Sequence, residues 1–112
     1  MKVYPDTFEA LMNFFKKLPG IGEKSAERMA FSTLNLTLEE IEDASDILVR
    51  SKKNLRPCSV CGLLTDQDTC SVCSSTIREK NLICVVEDDK SAFAFEKAGN
   101  YKGTYHILKG LI

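Results

Sequence analysis

Apolar residues recur with helical spacing through the first half of the chain, and the rhythm then changes twice. Phe8, Leu11, Met12 and Phe15 stand at i, i+3, i+4 and i+7, which makes one apolar helix face. Asp6 and Glu9 have capping-box spacing at its start, and Pro19–Gly20 ends it. A second helix is expected from about Glu23 to Leu34, burying Ala26, Met29 and Ala30. Thr37 and Glu40 repeat the capping-box spacing and open a third helix, with Leu38, Ile41, Ala44, Ser45 and Leu48 on one side. The sequence "CSVCGLLTDQDTCSVC", Cys58 to Cys73, has too little apolar material for a core of its own. From Asn81 the pattern becomes a nearly continuous apolar run, "NLICVVE", which reads as a strand buried on both faces. "DKSAFAFEKAG" reads as a helix ending near Gly99, and "GTYHILKG" as a second strand, Gly103 to Gly110. Strand, helix and strand in that order imply a parallel pair.

The expected fold class is therefore α+β in several parts. A helical segment spans residues 1–55, a small cysteine module 56–79, and a partial α/β unit 80–112. A parallel sheet covered on both faces needs more than two strands, so the chain reads as a fragment of a longer protein.

Charge adds a local signal only. The chain has 112 residues and a net charge of −1, so nothing marks it as globally basic. Lys16, Lys17, Lys24 and Arg28 nevertheless fall close together, and Arg50, Lys52, Lys53 and Arg56 form a second group. No apolar stretch approaches the roughly 20 residues that span a bilayer, and the N-terminus lacks a signal-peptide pattern. The expected compartment is the cytoplasm.

The stretch "LPGIGEKSAERMA" carries the first candidate chemistry. Glycine permits positive φ and close backbone approach, so Gly20-Ile21-Gly22 suits a tight turn between helices, with Ile21 tucked between them. The first amides of the following helix lack carbonyl partners and, with the helix dipole, favour an anion. Lys24 and Arg28 are four apart and share a face, and Ser25 could donate one more hydrogen bond. Lys16 and Lys17 lie just before the turn and add positive charge, or are simply solvated helix ends. Such a site would hold a phosphate backbone and ignore base sequence. The alternative is a helical hairpin whose glycines only make the turn.

The second is metal binding. Cys58-x2-Cys61 and Cys70-x2-Cys73 are two knuckles in a reducing compartment, where such pairs mean metal more often than disulfides. Four thiolates give a closed tetrahedral site, with zinc the expected occupant and iron the competitor. Its role would be structural. Gly62 permits the turn that brings amides near sulfur, and Asp66, Gln67 and Asp68 read as a hairpin tip between the knuckles. Cys84, inside "LICVV", reads as a small buried apolar residue. The third candidate is the run Glu87, Asp88 and Asp89 at a strand end, able either to hold magnesium or to open a helix at its positive end.

Taken together, "LPGIGEKSAERMA", the four cysteines, "CVVE" and "YKGTYHIL" resemble the bacterial recombination-mediator family RecR, over essentially the whole chain. The first of these looks like a helix-hairpin-helix motif, and the last segment is similar to the start of a Toprim domain. The resemblance implies a non-enzymatic DNA-repair protein of the bacterial cytoplasm and nucleoid. It implies ring-like tetramers, or a dimer for a chain of this length, that work with RecO and RecF to load recombinase on gapped DNA. It places DNA contact on Gly20, Gly22, Lys24 and Arg28, zinc on Cys58, Cys61, Cys70 and Cys73, and partner binding on Glu87. Two other readings remain at this point. One is a Toprim-type metal-dependent enzyme built on Glu87 to Asp89, although no Asp-x-Asp follows. The other is a zinc-stabilised interaction module that never touches DNA.

Overall fold

The structure is a computed structural model and describes residues 3–109. It divides into two compact units, the first running to Leu48 and the second starting at Val49.

In the first unit, α1 (Asp6–Lys16) and α2 (Glu23–Leu34) form an antiparallel hairpin. The apolar face expected on α1 is the one that packs. Met12 is only 2% exposed, and Phe8, Leu11 and Phe15 lie against it. On α2, Ala26 and Ala30 are fully buried, and Met29 is half-buried. Alanine at those positions lets the two helix backbones approach, and Ile21 packs against the same cluster as expected. Tyr4 anchors the start of the chain to α2, donating to Glu27 Oε2 at 2.5 Å. Tyr4, Phe8 and Phe31 follow one another at ring distances of 5.5 and 4.7 Å.

The capping box expected at α1 does not form, because the N-cap is Pro5, which has no side-chain acceptor. Asp6 is already helical, and the Glu9 amide bonds to the Pro5 carbonyl. The two acids still sit in the first turn, where they complement the helix dipole. At α3 (Leu38–Asn54) the box is complete. The Thr37 amide donates to Glu40 Oε1 at 3.0 Å, and the Glu40 amide donates to Thr37 Oγ1 at 3.1 Å. No residue of α3 is buried: Leu38 and Leu48 are exposed and Ile41 is half-buried.

In the second unit, β1 (Arg56–Pro57) pairs antiparallel with β2 (Leu64–Thr65), so the chain turns through Cys58–Leu63. The hairpin tip is thus the first cysteine knuckle itself, not Asp66–Asp68 as the sequence suggested. Asp66, Gln67 and Asp68 form a bend after β2, tied back by the Ser59 amide donating to the Asp68 carbonyl at 2.9 Å. Turn-forming residues there need no strand beyond them, and the chain enters the short α4 (Ser71–Ser74) instead.

Next, β3 (Ile83–Val86) and β4 (Thr104–Ile107) form the expected parallel pair, crossed over by α5 (Asp89–Ala98). Gly99, at φ +78°, ends α5 in the left-handed region. The second strand stops at Ile107, and the expected end at Gly110 lies outside the described residues. Contrary to the sequence reading, β3 is covered on one face only. Val86 joins the core, whereas Ile83 and Val85 are each 59% exposed. One core serves this whole unit: the cysteines pack with Leu63, Val72, Val86, Ala92, Tyr105 and Ile107.

A polar network holds the same parts together. The Arg78 guanidinium grips both oxygens of Glu96 on α5, and donates to the Gly103 carbonyl at 3.0 Å. Tyr105 on β4 donates to Glu96 Oε2. Glu96 is held below the usual carboxylate range, chiefly by Arg78, while burial and Glu96 push the Tyr105 hydroxyl up.

Candidate nucleic-acid interface and metal centre

The turn between α1 and α2 divides labour between its glycines. Gly20 has φ +83° and needs the freedom that glycine gives. Gly22 does not: at φ −90° and ψ −173° it is extended backbone, and a Cβ there would meet nothing within 4 Å. What Gly22 contributes is an absence. It is the N-cap of α2, where a serine or aspartate would ordinarily bond to an amide of the first turn, and it offers no such oxygen. The first intrahelical bond is Ala26 N–H to the Gly22 carbonyl at 2.9 Å. The amides of Glu23, Lys24 and Ser25 are left without an acceptor from a capping side chain, beside open space in front of Gly22.

Around this end, Lys24 and Arg28 are exposed and Ser25 is half-buried. Lys16 and Lys17 are exposed at the end of α1, but they are not equivalent. Lys16 Nζ makes an ion pair with Glu23 Oε2 at 2.7 Å, whereas no ion pair is found at Lys17, Lys24 or Arg28 among the described residues. The structure therefore brings Gly20, Gly22, Lys24, Ser25 and Arg28 together, and adds Glu23, which sequence reading passed over. The signal was its position, the first residue of the second helix with a lysine seven residues earlier.

The four cysteines converge. Their sulfur atoms lie within 4.8 Å of one another, and Cys61 Sγ and Cys70 Sγ are 3.7 Å apart. A tetrahedral zinc thiolate site has sulfur–sulfur edges of about 3.8 Å. None of the cysteines is in a disulfide. The backbone prepares the sulfurs as acceptors. Cys58 Sγ receives the Val60 amide at 3.4 Å and the Cys70 amide at 3.2 Å, and Cys61 Sγ receives the Leu63 amide at 3.4 Å. Gly62, at φ +88°, makes the latter possible, as its position in the knuckle suggested. Burial opposes ionisation at Cys58, but the amides of Cys61, Cys70 and Val60 outweigh it and bring the thiol down to about 6. Burial raises Cys61 to about 11 against the Leu63 amide, and pushes Cys73 higher still, where the neighbouring sulfurs add to the effect.

The donor set fits zinc. Four sulfurs, three of them buried, close the coordination sphere, so the ion supplies a cross-link and not a reaction centre. Lys80, also not anticipated, donates to the Cys73 carbonyl at 2.6 Å at the end of α4. The centre is joined directly to the parallel sheet, because the Cys61 carbonyl accepts from the Ile107 amide at 2.9 Å.

At the end of β3 the three acids separate in role. Asp88 is the N-cap of α5, accepting from the Ser91 amide at 2.9 Å, and the Ser91 side chain together with this amide lowers its pKa. Asp89 accepts from the Leu64 amide at 2.8 Å and pairs with Lys109 at 2.8 Å. Glu87 is exposed. Two of the three carboxylates thus hold the fold together. Among the described residues, the cysteines are the one cluster placed to share an ion.

A helical hairpin with an uncapped second helix, followed by a four-cysteine zinc module packed on a βαβ unit, defines a small helix-hairpin-helix and zinc-finger protein of the α+β class. Comparison with known families agrees on both parts. Residues 8–51 match the family described as RecR, helix-hairpin-helix, and residues 55–75 match the family described as the RecR four-cysteine zinc finger domain. The chain belongs to the RecR family. It is similar to the recombination protein RecR of Staphylococcus aureus, at 47% identity over 97% of this chain, and to that of Lactobacillus delbrueckii subsp. bulgaricus, at 45% over 97%. It spans 55% of the length of each of these relatives. No helix among the described residues is long and apolar enough to cross a membrane.

Proposed function

We propose that the chain is the DNA-contacting part of a recombination mediator, binding the sugar–phosphate backbone without regard to sequence and performing no chemistry of its own. The observation that carries this reading is the open N-terminus of α2. Gly22 supplies no capping oxygen, the space before it is empty, and Lys24 and Arg28 stand exposed on the same helix face. Unpaired amides, a helix dipole and two cations suit a phosphate, and none of them reads a base edge. Two features support a non-enzymatic role. The zinc site is closed, and Asp88 and Asp89 are engaged in capping and cross-linking. Partnership with RecO- and RecF-type proteins, with Glu87 in the contact, and assembly into a homo-oligomer belong to the same proposal. The exposed Glu87 and the uncovered side of α3 are compatible with both.

The test is anisotropy with labelled duplexes of unrelated sequence at several salt concentrations. Lys24→Ala with Arg28→Ala should weaken binding to all of them alike. It should also flatten the slope of log K against log[salt] by about 1.8, for two phosphates released. Wild-type affinity and slope in the double variant would refute the reading.

A further inference from the structure

The hairpin carries a negative charge where its own geometry favours an anion. Glu23 is the first residue of α2, beside the open amides, and its carboxylate is paired with Lys16 across the turn at 2.7 Å. The side chains of Lys16 and Glu23 are 38% and 61% exposed, so neither is held by burial. An exposed pair of this kind contributes little to stability and exchanges partners readily. It nonetheless cancels the charge of the lysine that ends α1.

We infer that Glu23 is an internal competitor for the phosphate site, which holds Lys16 neutralised and tunes the hairpin to bind DNA more weakly than its lysines and arginine would allow. The inference rests on the DNA reading above. Its consequence concerns Lys16: in the resting protein this lysine balances Glu23 and adds nothing to the net attraction. A sequence-neutral binder that must move along DNA benefits from such damping, because every uncancelled cation steepens affinity and its dependence on salt.

Three variants separate this from a direct Lys16 contact. Glu23→Gln should tighten binding about threefold, the effect of a unit charge about 7 Å from a phosphate at aqueous dielectric. It should also steepen the salt slope by about 0.9, as the freed Lys16 takes up one phosphate. Lys16→Met should weaken binding by a similar factor, since it leaves Glu23 unopposed. The double variant Lys16→Met, Glu23→Gln should bind like the wild type, because the pair it removes is neutral. Both positions are exposed, and unchanged circular dichroism confirms that the hairpin stays folded. A double variant as weak as Lys16→Met, or Glu23→Gln with unaltered affinity and slope, would overturn the inference. If either occurs while Lys24→Ala with Arg28→Ala still weakens binding, only the competitor role falls. If that last pair also has no effect, the DNA reading falls with it.

Discussion

Replacing Glu96 by glutamine should destabilise the second unit by about 2–3 kcal/mol, a figure set by charged hydrogen bonds within a network. The carboxylate accepts two guanidinium bonds from Arg78 and the hydroxyl of Tyr105. Glutamine keeps one acceptor and turns the other into a donor, which faces the guanidinium in either orientation and the hydroxyl as well in one of them. Hydrogen bonds to charged groups contribute about 1.5–3 kcal/mol each and are not additive within a network. Breaking a fully buried ion pair costs about 3–5 kcal/mol. The Arg78 and Glu96 side chains are 19% and 26% exposed, so solvent screens part of the loss, and the figure falls below that range. At about 4–8 °C per kcal/mol for a unit of this size, the melting temperature should drop by roughly 10–20 °C. The assay is thermal and urea unfolding of the zinc-loaded protein, followed by the near-ultraviolet signal of the tyrosines; the chain has no tryptophan. The pH dependence gives a second check. Glu96 is depressed when folded, so its contribution is present above the ordinary carboxylate pKa and is lost as pH falls through the folded value. The gap between wild type and variant should therefore be full at pH 7 and close in acid. A difference below about 0.5 kcal/mol at pH 7, well short of one charged hydrogen bond, would refute the reasoning. So would a gap that persists unchanged into strong acid.

Gly103→Ala should cost more than an ordinary loop substitution and bring β3 and β4 apart. Its Cβ would lie 2.4 Å from the Leu82 carbonyl oxygen and 2.5 Å from the Tyr101 hydroxyl, so backbone must move. A melting temperature equal to wild type would contradict this. Zinc affinity should climb with pH. Cys61, at about 11, and Cys73, higher, are both protonated near neutrality without metal and lose those protons on binding. These two thiols alone give about a hundredfold gain per pH unit around pH 7. Chelator competition across that range measures it, and a tenfold gain or less would count against the assignment.

The features legible in the sequence were those written locally. The 3.6-residue rhythm located α1 and α2, Thr37 and Glu40 marked the start of α3, and two C-x-x-C pairs gave the metal centre. Errors arose where one local pattern permits two placements. Asp6-x-x-Glu9 has the spacing of a capping box, yet the cap fell one residue earlier, on Pro5. Asp66–Asp68 favours a turn, but the strands pair around Cys58–Leu63. The run "ICVV" does not record which of its faces will be covered. What left no local trace was long-range. Arg78 and Glu96 are 18 residues apart, and Leu64 and Asp89 are 25 apart, so only the folded chain discloses either link. The requirement for glycine at position 103 is equally invisible, because it comes from the nearby Leu82 carbonyl and Tyr101 ring and not from backbone dihedrals.

The bond from the Ile107 amide to the Cys61 carbonyl has an implication for colloidal behaviour. A strand with a bare rim invites pairing by another chain. Around Ile107 the rim of β4 is occupied by the knuckle, while the far rim of β3 has no strand beside it among the described residues. Stripping the metal releases the guard on β4 and leaves a two-stranded ribbon adhesive along both borders, so demetallated preparations should polymerise before they lose their helices.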